Sequence, residues 1–257
     1  MTQTGGQYGA DFARAYDALM RGDYSYPRYA DYIERVFETY GRPRDSLIAD
    51  LGCGAGSLCA EMAGRGYDVI GIDNSPQMLA VARQKAVESG FADILFLEQD
   101  IDNFELYGTV GAFISTIDCV NYITDKRRLR RMFKLAGNYL PPGGLFIFDV
   151  NTAHKLSKII GDGVFYEITD DFCYIWTNAY NGASKTSVFD LTFFTREADG
   201  RWRRHDELHR QRAYSAEDFA AAARGSGLEI QGVYSFLGFE KPLPNADKIV
   251  YVMVKPQ

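Results

Sequence analysis

The chain is 257 residues long and 46% hydrophobic, with a net charge of −6, which suits one large domain or a domain carrying a subdomain. No segment reaches the ~20 consecutive apolar residues of a membrane helix, and the acidic balance does not favour a general nucleic-acid binder. The cysteines, Cys53, Cys59, Cys119 and Cys173, are scattered without a C-x-x-C pair, which argues against a disulfide framework and a structural zinc.

The opening MTQTGGQYGADFARAYD lacks the basic-then-apolar pattern of a secretory signal, so a soluble, cytoplasmic protein is expected. Residues 11–20 predict a short helix and Arg21-Gly22-Asp23 a turn. From 27 to 40, Tyr29, Tyr32, Ile33, Val36, Phe37 and Tyr40 recur at helical spacing while Asp31, Glu34, Arg35 and Glu38 take the other face, an amphipathic helix that Gly41 and Pro43 end. Strand and helix then alternate. Strands are predicted at 47–51, 67–72, 94–98, 110–114 and 144–149, and helices at 56–64, 76–88 and 125–140. Ser75-Pro76 supplies an N-cap followed by proline in the first turn. Such alternation implies a parallel sheet covered on both faces, with ligands at the C-terminal ends of its strands.

After Val150 the pattern changes. Residues 163–168, 171–180, 186–197 and 201–212 predict four antiparallel strands, with Asn181-Gly182 and Asp199-Gly200 as hairpin turns of the favoured type. Ser215-Ala216-Glu217-Asp218 resembles a capping box opening a helix through Ala223, and strands at 228–237 and 247–254 finish the chain. The expected fold is α/β: a Rossmann-like, seven-stranded, mostly parallel sheet flanked by helices, with an antiparallel β subdomain inserted after the fifth strand. An insertion there would lie over the C-terminal edge of the sheet as a lid or substrate platform; a dimer interface or plain structural padding is the alternative.

The strongest local signal is LIADLGCGAG at 47–56, answered by GID at 71–73. Glycines at 52, 54 and 56 tolerate positive φ and let a ligand approach the backbone, and Asp73 at the end of the next strand can accept from ribose hydroxyls. The dinucleotide fingerprint wants its last small residue where Ser57 stands, and a G-x-G-x-G turn with an acid before it suits a ligand without phosphate. ADLGCGAG resembles the first motif of the class I S-adenosylmethionine (SAM) methyltransferases. By that resemblance SAM is the cofactor and S-adenosylhomocysteine (SAH) the product. Asp50 and the Gly52, Cys53, Gly54 and Gly56 backbone face the methionine part, and Asp73 and Asn74 the ribose, with Met78 nearby. FLEQDID places Asp100 and Ile101 at adenine. STIDCVNYI supplies Thr116, Asp118, Asn121 and Tyr122 near the sulfonium.

The N-terminal YDALMRGDYSYPRYADYI looks like the tyrosine-rich opening of small-molecule methyltransferases, including a bacterial glycine/sarcosine-type group and the sugar-amine N-methyltransferases. In these the segment folds over SAM, which makes Tyr16 and Tyr24 contacts. The resemblance divides the chain into an N-terminal helical cap (1–45), a SAM-binding core (46–150), the antiparallel insertion (151–213) and a closing helix and strands (214–257). A histidine that can follow the fourth strand in the sugar-amine enzymes is not matched, because Tyr122 stands near that point.

Methyl transfer needs alignment of nucleophile, methyl and sulfur, and an amine nucleophile must be unprotonated. Tyr122, Asp118, His209 and Tyr24 are the candidate groups. His205, Glu207 and His209 share one face of a predicted strand, which reads as a polar sheet face, and no metal is expected. The basic runs KRRLRRMFK and RWRRH could touch RNA phosphates, but the first has the spacing of a solvated helix face. The chain also lacks the Asn/Asp-Pro-Pro-aromatic motif of nucleobase methyltransferases, carrying DCVNY instead. The reading is a SAM-dependent methyltransferase acting on a small molecule, at an amine nitrogen, as monomer or homodimer. An RNA or protein methyltransferase, a SAM-binding protein without methyl transfer, and a nicotinamide dehydrogenase are the alternatives.

Overall fold

A computed structural model describes residues 25–41, 47–197 and 199–257. The helix expected over 11–20, the turn after it, and Tyr16 and Tyr24 lie outside these residues. Five parallel strands form the centre: β1 (Ile48–Leu51), β2 (Val69–Asp73), β3 (Leu95–Glu98), β4 (Ala112–Ser115) and β5 (Leu145–Asn151). Further along, β10 (Glu229–Ser235) and β11 (Lys248–Val254) complete a seven-stranded sheet of order β10-β11-β5-β4-β1-β2-β3, in which β11 pairs antiparallel with both β5 and β10. Every residue of β1, β4 and β5 is buried, as expected for strands covered on both faces.

Alternating side chains divide the core in two. Ile48, Ile114, Leu145 and Val252 face α1 (Tyr26–Thr39), α2 (Ser57–Gly64) and α3 (Pro76–Glu88). Ala49, Phe113, Phe146, Phe148 and Tyr251 face α4 (Lys126–Tyr139) and α5 (Ala216–Ala223). The sequence signals act locally as expected. Ser75 Oγ accepts from Met78 N (3.2 Å) to start α3, and the reciprocal Ser215–Asp218 capping box starts α5. In the basic helix α4, Arg128 and Arg131 converge on the fully buried Asp102 at 2.6 and 2.5 Å, so part of that run is structural. No helix among the described residues is long and apolar enough to cross a membrane.

A π-helical turn (Lys155–Ile160) leads from β5 into a separate antiparallel sheet, β6 (Val164–Ile168), β7 (Phe172–Asn181), β8 (Thr186–Arg196) and β9 (Trp202–Arg212), in sequence order. Both hairpin turns differ from expectation: Glu197 N donates to Arg201 O (2.8 Å) beyond the Arg196–Trp202 pair, so Asp199-Gly200 lies in a loop longer than two residues with Gly200 left-handed (φ 84°). The β7–β8 loop is not a two-residue Asn181-Gly182 turn, because β7 runs through Asn181 and pairs it with Thr186. Four residues lie between, with Lys185 taking the left-handed position (φ 56°). Asn181 Oδ1 accepts from Ala183 N and Ser184 N at 3.0 and 3.1 Å, an Asx-type turn that does the work expected of the glycine. The sheet leans on the main domain: Phe193 of β8 packs with Ala55 and Met78, and Phe189 with Leu156 and Ile160.

Candidate active site

A cavity of about 320 Å³ opens at the C-terminal ends of β1, β2 and β4. Its floor is the glycine turn. Gly52, Gly54 and Gly56 all have positive φ (81°, 52° and 70°), and each for its own reason. A Cβ on Gly52 would lie 2.0 Å from Cys119 Sγ, and one on Gly56 would press on Ala82 and the Phe96 ring, whereas one on Gly54 would meet nothing within 4 Å. Gly52 and Gly56 therefore allow packing, and Gly54 leaves the floor clear. Gly52→Ala combines left-handed strain with overpacking, and about 1–3 kcal/mol of stability is expected to be lost, measured as a lowered urea midpoint. A Cys119→Gly partner should restore only the packing share.

Asp73 holds this turn. Its carboxylate accepts from Gly54 N and Ser75 N, both at 2.9 Å; burial is the main cause that raises its pKa, opposed by those backbone donors. Asp50, at the β1 tip, is 2% exposed. Its Oδ2 accepts from Cys59 Sγ (3.3 Å), while Oδ1 has no hydrogen-bond partner among the described residues. Burial pushes its pKa up to about 7; the Cys59 bond opposes that and the Asp73 charge adds to it. A buried carboxylate oxygen without a donor is costly, and a ligand cation would meet it. On the next wall Asn74 Nδ2 donates to Asp100 Oδ1 (3.0 Å), beside Ile101, Met78 and Arg128.

The far wall is a strained turn after β4. Ile117 and Asp118 are consecutive left-handed residues (φ 56° and 52°), a conformation strongly disfavoured for a β-branched side chain. Asp149, inside the buried strand β5, imposes it by accepting from Ile117 N (2.8 Å) and Asp118 N (2.7 Å). Asp118 in turn accepts from Lys248 Nζ (2.6 Å) and from Gln211 Nε2 (2.5 Å) of β9. Burial alone would raise the Asp118 pKa, but Lys248 and Lys155 outweigh it and hold it low. Burial dominates at Asp149 and leaves its pKa raised.

Asp50, Gly52, Cys53, Gly54, Asp73 and Asn74 line this cavity, as do Met78, Asp100, Ile101, Thr116 and Tyr122. Gly56 does not, because it starts α2 behind the turn. Asn121 is fully buried, bonding Asn151 and the Arg212 carbonyl. Asp118 is turned into the ion pair with Lys248. His209 is 3% exposed, stacked edge-on against Tyr122 (centroids 5.8 Å apart), and burial pushes its pKa down to about 4. It backs the tyrosine instead of lining the cavity. His205 and Glu207 do share its sheet face, but among the described residues no group of three metal-ligating side chains comes together. Tyr26, Ile117, Cys119, Ile123 and Arg128 also line the cavity and were not singled out from sequence. Asp149 carried a usable signal, an acid within LFIFDV.

Residues 48–144 match the family model of the methyltransferase domain. A methyltransferase-family protein of Geobacillus sp. (strain WCH70) is 30% identical over 244 residues, covering 95% of this chain and 98% of its own. The crystal structure of a SAM-dependent methyltransferase from Clostridium acetobutylicum ATCC 824 superimposes with a TM-score of 0.86 at 29% identity, covering 96% and 98%. The SAM-bound amino pentose methyltransferase CalS10 of Micromonospora echinaspora shares the fold at TM-score 0.73 and 19% identity, covering 94% and 96%.

Proposed function

Because the chain belongs to the SAM-dependent methyltransferases, we propose that it methylates a small molecule, at an amine nitrogen, with the acceptor entering beside Tyr122. The observation that carries the reading is the unmatched Asp50 oxygen at the glycine turn: it suits the ammonium of the methionine moiety, and Asp73 and Asn74 suit the ribose. Asp100, Ile101 and Arg128 take the adenine side. SAM supplies a methyl group on a sulfonium. The protein's part is to fix the nucleophile against it and exclude water. Ile117 and Tyr122 shape that end, and the aromatic face of Tyr122 favours a cationic centre. The four-stranded sheet, resting on Ala55 and Met78 through Phe193, acts as a lid on the 46–150 core. An acceptor with an amine is supported by the fold shared with CalS10, whose own acceptor is an amino pentose.

Calorimetric titration with SAH, with NADH as control, tests the cofactor site. SAH alone should bind, and its affinity should depend on pH. Below about 7 Asp50 is protonated in the free protein, whereas an ammonium ligand favours the carboxylate. Binding should therefore release a proton at pH 6 and strengthen as pH rises towards 7, up to about tenfold per unit. An affinity flat over that range removes Asp50 as the ammonium site.

A further inference from the structure

A second opening, a groove of about 710 Å³, lies on the same edge of the sheet, lined by Lys155, Ser235, Phe236, Leu243, Asp247 and Lys248 among others. We propose that this groove holds the distal end of the methyl acceptor, and that the acceptor there carries an anionic group, a carboxylate or phosphate, docked on the Lys155 ammonium. The inference rests on the small-molecule reading above and specifies its substrate class.

Position is the first argument. The sheet order places β11 two strands from β4, and because β11 is antiparallel its first residue, Lys248, is at the same edge as the tips of β4 and β5. Neighbouring strands are about 4.8 Å apart, so the groove begins about 10 Å from the wall that closes the cofactor cavity. The two openings share no lining residue, so an acceptor with its nucleophile at Tyr122 and its tail on the groove is a molecule about 10 Å long that crosses over the Asp118–Lys248 pair between them.

Charge is the second. Two lysines line the groove, but they are not equivalent. Lys248 is 6% exposed and already committed to Asp118 at 2.6 Å and Asp149 at 3.6 Å. The Lys155 ammonium forms no hydrogen bond or ion pair among the described residues, although the residue is half-buried. Burial and the neighbouring Lys248 charge both lower its pKa, ahead of the opposing Asp118, Asp247 and Asp149. A cation held against a like charge in a partly desolvated groove favours an anion. The carboxylate-bearing Asp247 on the wall is exposed and its backbone carbonyl is tied to Thr152 N (3.0 Å).

Shape is the third. Phe236, with its ring 5.5 Å from Lys248 Nζ and edge-on to Tyr29, and Leu243, 71% exposed, give the groove an apolar wall beside the cation. An apolar body ending in an anion matches both.

The test is calorimetry on the full chain saturated with SAH, using phenylacetate, phenyl phosphate and the neutral phenylacetamide as probes, repeated on Lys155→Met and Lys155→Arg. An anion should bind about tenfold tighter than the amide, the preference should vanish in Lys155→Met and persist in Lys155→Arg, and the tighter anion identifies the group. Equal affinity for all three probes, no binding of any, or a preference that survives Lys155→Met overturns the proposal. SAH binding is read in the same experiment. SAH bound without anion preference removes this inference alone, whereas no SAH binding removes the cofactor-site reading, and the anion preference is then judged by the same criterion on the protein without SAH.

Discussion

Asp73→Ala is expected to weaken SAH binding by about a hundredfold or more while leaving a folded protein. The carboxylate already accepts from Gly54 N and Ser75 N, so it fixes the glycine turn that forms the cavity floor and the chain's entry into α3. If it also accepts from a ribose, removing it deletes charge-assisted bonds worth about 1.5–3 kcal/mol each and loosens the floor beneath the same ligand. Asp73→Asn keeps the shape of the side chain but only one of its two backbone bonds, because Gly54 N and Ser75 N donate to different oxygens and the amide NH2 would face the other N–H. Stability should therefore fall together with SAH affinity, and the loss of affinity beyond that seen in the fold is the share of the charge-assisted ribose bonds. Isothermal titration gives the affinity and thermal unfolding the stability. SAH binding unchanged in both variants would mean that the ribose lies elsewhere, and the assignment of the β2 tip would fail.

The tips of β1 and β2 were legible because a strand, a glycine turn and a helix leave each side chain little choice. Once Asp50 ends a buried strand and Gly52 must lie against Cys119, the direction of the floor follows. The β4 tip was not legible in the same way. STIDCVNYI placed Thr116, Asp118, Asn121 and Tyr122 near one another in sequence, and two of the four line the cavity. The reason is local: Ile117 and Asp118 are both left-handed, so the alternation of a strand stops there and Asp118 turns inward. What turns it is an acid in β5 and a lysine 130 residues away, and no spacing rule reaches that far. His209, a candidate base from sequence, is not among the residues that line the cavity, for a related cause. The strand alternation correctly grouped it with His205 and Glu207, but could not say that Tyr122 would stand between it and the cavity. The four-stranded insertion was legible from its alternation. Its hairpin at Asn181 was not, because an Asx turn and Lys185 replace the glycine geometry that the Asn-Gly pair suggests.

Lys248→Met should be the most damaging single substitution to stability outside the core, costing about 3–5 kcal/mol, because it strands buried carboxylates without their cation. Lys248 is 6% exposed and its ammonium is shared between Asp118 and Asp149. For a chain of this size such a loss lowers the unfolding midpoint by about 10 °C. The sign of the pH response distinguishes this mechanism from simple misfitting. In the native protein Lys248 and Lys155 hold the Asp118 pKa below its ordinary value. That group therefore adds stability that is present above the ordinary carboxylate range and lost as pH falls through the lowered value. Without Lys248, burial, the largest influence on Asp118, is less opposed and its pKa rises. The deficit should accordingly be greatest near neutral pH and shrink towards pH 5 as the carboxylates take up protons. Adding Asp118→Asn to Lys248→Met should recover part of the loss, since a neutral amide can still accept from Gln211. The same variant should also weaken SAH binding, because Asp149, freed of its cation, holds Ile117 and Asp118 less firmly in the left-handed turn that walls the cavity. A Lys248→Met protein with an unchanged midpoint would show that the buried charges are neutralised some other way, and the ion pair would then have no claim to set the shape of that wall.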